Sequence, residues 1–476
     1  MKHIVNLVNA AAIVGILVAA AIAAPIDPRA LDDATFDREL ERRFQYGPPQ
    51  PEPAELPDER EGQAADAAYF AAFPEYDRSY APAARAEAQR RAKALAADAR
   101  NLSHEQFVLR VAEIAALADN AHTAIGENAF RKNTPRLPLR TYLFADGLYV
   151  LWTNPAFADL LGARIDTIDG KRIDDVYKII RRYHGGTEAY RRVRLIPMLE
   201  SPALLQAAGV AKDRNALTLT GVLGDGTPFT RRIEAEQRDR SAWVSSTART
   251  LYPRAPGDRM VSLLKPGANM PVYLQDPSKL FTIATLPRSG LYIGLTHNAD
   301  GDEEPIGPFL NAALARVRED HPAFVVLDMR MNGGGDYTKT YAFARALPGA
   351  ADRADLYVLT SPFTFSAAIT TVAALREGGG ARVKIVGEEA GDRLDFWAEG
   401  GAFRLPNAFV TVSYAAGRHV YDGPCTDAEL CFWLNDRYPV RVATLKPDIA
   451  APLTFAAYHK GIDPAMAAVL AREGSR

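Results

Sequence analysis

The sequence predicts an α/β fold built on a parallel or mixed sheet, and the clearest pattern lies between about residues 280 and 460. Short apolar runs bounded by turn residues alternate there with longer helix-forming runs. Such alternation is typical of neighbouring strands that are covered by helices. Folds of this kind place their chemistry where strands give way to loops. We therefore expect the functional residues at strand ends in this region.

The strands and helices of this region follow one another in a regular order. Strands are predicted at 291–295, 324–329, 356–360 and 383–386, and helices at 306–319, 337–347 and 366–376. The apolar runs have the length of strands, whereas the runs between them have the length of helices. The loops after the second and third of these strands carry the residues of greatest chemical interest.

The composition is that of a large folded chain with little net charge. It has 476 residues, of which 48% are hydrophobic, and a formal net charge of −2. At roughly 100–200 residues per domain, this length predicts several domains. Because there is no excess of cations, a nucleic-acid partner is not expected. Two cysteines exclude a cysteine-based zinc site, and eight histidines without metal-binding spacing argue against metal catalysis, so no cofactor is expected.

The first 24 residues are predicted to be a signal peptide rather than part of the fold. Lys2 and His3 precede an apolar run over 10–24, and the small residues at 21–23 fit a cleavage site. The chain is therefore expected to be exported, to the periplasm or the extracellular space. An uncleaved segment would instead act as a membrane anchor, and membrane association is expected through this segment only.

Two further segments precede the middle of the chain. A cluster of five prolines predicts that residues 25–61 form an extended Pro-rich spacer. Residues 62–137 are predicted to be an N-terminal helical domain, with one helix over 83–100 that is rich in strong helix formers. A second helix is expected to begin after Ser103, which can form a capping box with Gln106.

The middle of the chain, over 138–236, consists of short strands and turns with one helix. An Asp-Gly turn at 169–170 leads into a predicted helix over 174–183, and a second turn at 224–226 joins two strands. The pattern resembles a PDZ domain. In that fold the sheet edge beside the helix accepts an extended peptide as an additional strand.

Two strand ends carry the residues best suited to chemistry. Residues 328–336 contain three consecutive glycines, which can point backbone N–H groups at a ligand. A phosphate is a poor candidate, because the Lys-Ser/Thr pair of a P-loop is absent and Asp336 would repel it. An oxyanion fits better, since it needs N–H groups and no cation. At the next strand end Ser366 begins a helix, either as an exposed nucleophile or as a plain N-cap.

Together these strand ends resemble those of the S41 serine peptidases, the tail-specific or C-terminal-processing proteases. The resemblance rests on Asp-x-Arg-x-Asn-Gly-Gly-Gly at 328–335, Thr-Phe-Ser-Ala-Ala at 364–368 and Val-Gly-Glu at 386–388, in the order of that family. It implies a ClpP/crotonase-like catalytic core over 237–476, preceded by the PDZ-like domain and the helical domain.

The resemblance also implies roles for individual residues. Ser366 would be the nucleophile of a serine-type peptidase. The backbone N–H of Ala367, with that of Gly333 or Gly334, would form the oxyanion hole.

The base differs between branches of this family. One branch uses a lysine soon after the Val-Gly-Glu strand, where this chain has Arg393, and arginine stays protonated. The other branch, similar to the tricorn core protease, uses a histidine from the helical domain, and His122 lies in that local pattern. We therefore expect His122 to accept the proton of Ser366. A helix C-cap role is the alternative for His122.

The chain departs from that branch at three positions. Ala121 replaces the serine before the histidine, Ile369 replaces an acidic residue after the nucleophile, and Arg441 stands where a supporting glutamate is expected. The partner that orients His122 is therefore left open among four residues, which are Glu388, Glu389, Asp392 and His419.

The leading hypothesis is an exported serine endopeptidase that cleaves unstructured or C-terminal polypeptide segments through an acyl-enzyme. A non-catalytic peptide-binding homologue is the alternative, and the missing acidic partner favours it. In an exported protein, Cys425 and Cys431 could close a small disulfide ring, whereas two free buried thiols are the alternative.

Overall fold

The computed structural model describes residues 28–51, 58–131, 134–236, 247–255, 257–267, 270–302 and 304–475. The predicted signal peptide therefore lies outside the described residues. Within these ranges, no helix combines the length and the apolar character that a membrane crossing requires.

The N-terminal part is mostly helical. Its elements are α1 Asp33–Phe44, α2 Glu59–Phe70, α3 Phe73–Tyr76, α4 Pro82–Asp98, α5 His104–Ala116, β1 Ala124–Ile125 and α6 Asn128–Arg131. The predicted capping box starts α5: the Gln106 N–H donates to Ser103 Oγ at 3.2 Å, and the Ser103 N–H donates to Gln106 Oε1 at 2.9 Å. This local bonding fixes where the chain enters the helix that leads to His122.

One helix lies where an extended spacer was expected. The prediction of a spacer over 25–61 is wrong for α1, which begins after the N-cap Asp32. Phe36, Leu40 and Phe44 recur at a spacing of four residues and pack with Phe432, Trp433 and other buried side chains. The prolines follow α1 and so limit only the residues after it.

The middle part is an antiparallel sheet with helices. Its elements are β2 Leu139–Phe144, β3 Gly147–Thr153, β4 Arg164–Ile168, β5 Lys171–Arg172, α7 Ile173–Ile180, α8 Glu188–Arg194, α9 Ile196–Leu199, α10 Pro202–Ala207, β6 Ala216–Val222, β7 Pro228–Glu234 and β8 Val261–Ser262. The main strand order is β2-β3-β4-β6-β7. Asp169 and Gly170 have φ values of 48° and 80°, so the Asp-Gly pair forms the tight turn expected from the sequence.

The C-terminal part contains the parallel sheet. Its elements are β9 Phe281–Leu286, β10 Gly290–Leu295, α11 Ile306–Asp320, β11 Phe324–Asp328, α12 Thr338–Ala350, β12 Asp355–Thr360, α13 Ala367–Gly379, β13 Val383–Gly387, β14 Asp395–Ala398, β15 Gly401–Leu405, β16 Val410–Tyr414, β17 Gly417–Val420, α14 Leu434–Arg437, β18 Ile449–Ala450, α15 Phe455–His459 and α16 Pro464–Gly474. The strand order is β18-β13-β12-β11-β10-β9, and only β9 is antiparallel to its neighbour.

Both faces of this sheet are buried. Val325 and Leu327 of β11 pack in one apolar cluster with α11, α12 and α13, whereas Phe324 and Val326 pack in another with α16. Alternate residues therefore face opposite layers, as expected for a strand covered on both sides. Because β11, β12 and β13 run parallel, their carboxyl ends meet at one edge of the sheet.

The three sequence regions share packing. The largest apolar cluster joins α2, α4 and α5 to the middle sheet and to β15 and β16, and β1 pairs with β16. The helical region is therefore attached to β15 and β16, which lie in sequence between β13 and β18 of the parallel sheet. The predicted domain boundaries at 62–137, 138–236 and 237–476 stay predictions.

Candidate functional site

The two strand ends singled out in the sequence lie against each other. The Phe365 N–H donates to Asn332 O at 3.0 Å, and Thr364 Oγ1 donates to Met329 O at 2.9 Å. These bonds join the turn after β12 to the glycine-rich turn after β11. The site is therefore one structure rather than two separate loops.

Ser366 lies in a backbone conformation that favours glycine. Its φ is 58° and its ψ is −127°, immediately before α13. A side chain held in such a region costs about 1–3 kcal/mol and persists only where the surroundings enforce it. Ser366 occupies the N-cap position of α13, but among the described residues its hydroxyl has no hydrogen-bond partner, so its side chain does not cap the helix. The conformation leaves the hydroxyl available for chemistry.

The glycine-rich turn approaches Ser366 closely. A Cβ at Gly334 would lie 2.7 Å from the Cβ of Ser366, and Gly334 has a φ of 104°. The Gly334 N–H donates to Asn332 Oδ1 at 3.0 Å and is therefore engaged. Within the described chain, the N–H groups of Gly333 and Ala367 have no acceptor. Of the two glycines considered for an oxyanion hole, Gly333 is the one with a free donor.

A pair of buried amides holds the two turns in register. Asn298 and Asn332 are both fully buried, and the Asn332 Nδ2 donates to Asn298 Oδ1 at 2.9 Å. The Asn298 Nδ2 donates to Ala367 O at 3.1 Å and to Thr371 Oγ1 at 2.8 Å. The Asn298 N–H donates to Gly334 O at 2.8 Å. Asn298 thus fixes the glycine-rich turn relative to the start of α13.

His122 is packed against the residue that precedes the serine. Its ring lies 4.4 Å from the ring of Phe365 and 5.6 Å from that of Phe396, with interplanar angles of 24° and 16°. The structure therefore places the ring of His122 against the turn that carries Ser366. Among the described residues, neither ring nitrogen of His122 has a hydrogen-bond partner. Burial, with a smaller contribution from His419, lowers the pKa of His122 to about 3.

Asp392 is the candidate partner that reaches His122. Its Oδ2 lies 3.3 Å from the Nδ1 of His122, and its side chain is 2% exposed. Its Oδ1 accepts the backbone N–H of Arg393 at 2.9 Å. Burial raises the pKa of Asp392 to about 8. Burial therefore favours the uncharged forms of both members of the pair.

The other three candidate partners lie elsewhere. The Nε2 of His419 is 3.3 Å from Glu399 Oε1, and its ring stacks on the far side of Phe396 at 4.7 Å. Glu389 is exposed, whereas Glu388 lines a separate cavity. The sequence alone does not show which of the four residues contacts His122, because that depends on how the loop after β13 folds back.

The loop that carries His122 is held by charges from two other parts of the chain. Asp119, at a φ of 47°, accepts from Arg191 Nη2 and from Arg393 Nη2, both at 2.8 Å. Arg191 belongs to α8 and Arg393 to the loop after β13. Arg393, which occupies the place of the lysine base in one branch of the S41 peptidases, thus positions the histidine loop.

Two glycines lie against the residues that precede His122. A Cβ at Gly186 would lie 2.6 Å from the Cβ of Ala121, and one at Gly185 would lie 2.8 Å from the backbone N of Asn120. The two glycines therefore let the segment after α7 pack directly on this loop.

Two site residues were not foreseen from the sequence. Asn298 follows the end of β10 much as Asn332 follows the end of β11. This similar position after a neighbouring strand is the feature of the sequence that could have indicated Asn298. Phe396 lies in a ribbon formed by β14 and β17, which pair antiparallel outside the main sheet. Across the described residues, no group of three or more His, Cys, Asp or Glu side chains is placed to hold a metal ion.

The overall fold of this chain is similar to that of solved structures. Mature CPAF in complex with lactacystin is similar to this chain over 85% of its residues and 96% of that chain, with 14% identity and a TM-score of 0.53. A second structure of mature CPAF gives 85% and 95%, with 12% identity and a TM-score of 0.54. The photosystem II D1 C-terminal processing protease matches with 14% identity over 86% of this chain and 99% of that one, at a TM-score of 0.32.

The likeness to CPAF shows the fold of this chain. The α/β fold predicted from the alternation of strands and helices is confirmed. No protein-family model matches the chain, and no curated protein sequence matches it. Its activity must therefore be argued from the residues of the site.

Proposed function

We propose that this protein is a serine peptidase with Ser366 as nucleophile and His122 as general base. One observation carries the proposal: a serine held at a positive φ begins a helix beside free backbone N–H groups and beside a buried histidine–carboxyl pair. A nucleophile, a base, an orienting group and an oxyanion site are the parts that acyl transfer needs.

The chemistry follows the usual division of acyl transfer into two halves. The Ser366 Oγ attacks the carbonyl carbon of the scissile peptide while His122 takes its proton. The N–H groups of Gly333 and Ala367 donate to the oxyanion. His122 then protonates the leaving amine, and a water molecule, deprotonated by the same imidazole, hydrolyses the acyl-enzyme.

Asp392 fits the role of the orienting carboxylate. When ionised, it accepts a hydrogen bond from the Nδ1–H of His122, and this tautomer leaves the lone pair of Nε2 free for the serine proton. When protonated, it would donate to Nδ1 and place the histidine proton on Nε2, where it blocks the base. The ionised form of Asp392 is therefore the active one.

The proposed substrate is an exported polypeptide, in unstructured or C-terminal segments. Addition of a peptide as an extra strand at an edge of the middle sheet is the recognition mode that a PDZ-like domain would supply. Export is supported by the disulfide between Cys425 and Cys431, whose Cα atoms are 5.8 Å apart. Disulfides persist in oxidising compartments and are rare in the cytosol.

Covalent labelling tests the proposed nucleophile. A fluorophosphonate should form an adduct on Ser366, located by mass spectrometry of the digested protein. The Ser366→Ala variant should lose the adduct, whereas Ser289→Ala, at an exposed hairpin serine, should keep it. His122→Asn should suppress both labelling and cleavage of an unstructured peptide. Folded protein that is not labelled at Ser366 would refute the proposal.

A non-catalytic peptide-binding protein is the second candidate. The observation that favours it is that both ring nitrogens of His122 lack a hydrogen bond within the described chain. Such a protein would bind C-terminal peptides without cleaving them, and Ser366→Ala would leave that binding unchanged. Titration of a peptide monitored by fluorescence anisotropy, with the peptide analysed for cleavage afterwards, separates the two candidates.

A further inference from the structure

A buried carboxyl group lies behind the loop that carries His122. Asp77 directly follows α3 and is fully buried. Its Oδ1 accepts the Ser79 N–H at 2.7 Å and the Ser79 hydroxyl at 2.5 Å. Its Oδ2 accepts the Thr123 hydroxyl at 2.5 Å and the Ala415 N–H at 3.0 Å. Four donors from three separate parts of the chain therefore converge on this carboxyl group.

The pattern of donors around Asp77 requires a carboxylate. Each of its two oxygens accepts a backbone N–H, that of Ser79 on one side and that of Ala415 on the other. An asparagine would turn its NH2 group towards one of these N–H groups in either orientation of the amide, and two donors cannot bond to each other. Burial raises the pKa of Asp77, whereas the four donated bonds oppose that shift and favour the ionised form.

The Thr123 hydroxyl belongs to the residue directly after His122. It also accepts from Asn120 Nδ2 at 3.0 Å, so that a bond between side chains closes the loop. Asn120 Oδ1 in turn accepts the N–H of Trp397 at 3.4 Å, and Trp397 follows Phe396, whose ring stacks on that of His122. The hydrogen bonds of Thr123 and Asn120 thus enclose His122 on both sides.

These side-chain bonds do the work that backbone bonds do elsewhere. Among the described residues, the backbone groups of residues 120–123 make no hydrogen bond to other backbone groups. The ring nitrogens of His122 have no hydrogen bond in the described chain either. The ion pairs of Asp119 hold the start of the loop, and the bond from Thr123 to Asp77 holds its end.

We propose that Asp77 is a positioning residue for the general base, because through Thr123 it sets where the imidazole of His122 stands relative to Ser366. The inference rests on the proposed peptidase function and deepens it. A catalytic group must lie within about 0.5 Å of its productive position, and a misplacement of about 1 Å can cost about 100-fold in rate. Loss of the Asp77 carboxylate should therefore slow the reaction from outside the reaction centre.

Asp77→Asn is the test variant, and Asp66→Asn is its matched control. Asp66 is another buried carboxyl group of the helical region, but it accepts from Asn407 Nδ2 at 2.8 Å and from the Ala408 N–H at 2.7 Å. Asp77→Asn should lower kcat for an unstructured peptide about 100-fold with KM little changed, and should slow fluorophosphonate labelling of Ser366 by a similar factor. Asp66→Asn should leave both rates nearly unchanged. A variant Asp77→Asn that keeps its kcat, or an equal loss in both variants, would overturn the proposal.

A pair of substitutions at Thr123 keeps the test decisive if Asp77→Asn does not fold. Thr123→Ser retains the hydroxyl that donates to Asp77, whereas Thr123→Val keeps the shape of threonine without the hydroxyl. Only the valine variant should show the loss of kcat. Equal kcat in the two variants would overturn the proposal.

Chemical modification of His122 separates this inference from the peptidase proposal, because it needs no catalysis. Diethyl pyrocarbonate acylates neutral imidazoles that solvent reaches, and the side chain of His122 is 18% exposed, against 2% for His419. Asp77→Asn should raise the rate of modification at His122 severalfold without a change at His419, as located by mass spectrometry, and Asp66→Asn should change neither. If Ser366 is not labelled but this difference holds, the peptidase fails and the positioning of His122 by Asp77 stands. If Ser366 is labelled but Asp77→Asn changes neither kcat nor this modification, the positioning role is refuted.

Discussion

The backbone conformation of Ser366 can be tested through stability alone, without any substrate. The informative comparison is Ser366→Gly against Ser366→Ala, because both variants lack the hydroxyl and neither can form an acyl-enzyme. Alanine keeps the Cβ in the strained conformation at a φ of 58° and a ψ of −127°, whereas glycine adopts it freely.

The expected difference follows from two opposing effects. Relief of the strained conformation favours the glycine variant by about 1–3 kcal/mol. The greater chain entropy that glycine loses on folding costs about 0.5–1 kcal/mol. Ser366→Gly should therefore have a free energy of unfolding about 1 kcal/mol above that of Ser366→Ala. This difference would raise the melting temperature by roughly 2–4 °C in a unit of 150–250 residues.

The assay is guanidinium denaturation followed by circular dichroism, read as a shift in the midpoint at constant slope. Ser289 supplies the matched control, since it lies at a φ of 56° in the exposed turn between β9 and β10. Ser289→Gly should also be more stable than Ser289→Ala, because the same Cβ is removed from a positive φ. If Ser289 behaves in this way and Ser366→Gly is no more stable than Ser366→Ala, the inference of strain at the nucleophile is refuted.

Three further predictions concern the groups around the serine, and a fourth concerns the disulfide. Asp392→Asn should lower kcat by about three to four orders of magnitude with KM little changed, because the amide holds the wrong tautomer of His122; a variant that retains full kcat would contradict the orienting role. In the unaltered protein, kcat/KM for an unstructured peptide substrate should rise with pH up to about 8 and then level off, because the raised pKa of Asp392 keeps its carboxyl protonated below that value. A flat profile between pH 6 and 9 would contradict this assignment. Asn298→Ala should lower the free energy of unfolding by about 1–3 kcal/mol and slow fluorophosphonate labelling, since it leaves the buried amide of Asn332 without its partner; labelling at the original rate would show that Asn298 does not position the turns. Replacing Cys425 and Cys431 together by serine should cost about 2 kcal/mol in denaturant, as expected for so short a loop, and equal midpoints would argue against the disulfide.

Much of the core was predictable because its pattern is local. The buried strands β10 to β13 and the helices between them are visible as apolar runs of distinct length, and the glycines at 333–335 mark a strand end by themselves. The apolar residues at 36, 40 and 44 of α1 form an equally local helical pattern. The prolines that predict an extended spacer follow this helix and do not interrupt it.

The surroundings of His122 were not predictable for a different reason. Asp392 and Phe396 approach it from more than 250 residues away along the chain, through a ribbon that leaves the parallel sheet after β13 and returns at β18. No sequence periodicity reports such a contact. The local sequence pattern indicated His122 but left four residues as possible partners. Only the folded structure shows that Asp392 contacts His122 and that Glu389 is exposed.

The late position of that ribbon also has a consequence for how the protein is made. A growing chain contains Ser366 well before it contains Phe396 and His419, and the backbone N–H of Trp397 reaches back to Asn120 across 277 residues. Since domains fold progressively during synthesis, an emerging chain would have its nucleophile without a supported base. The candidate site would therefore be complete only after most of the chain has been synthesised.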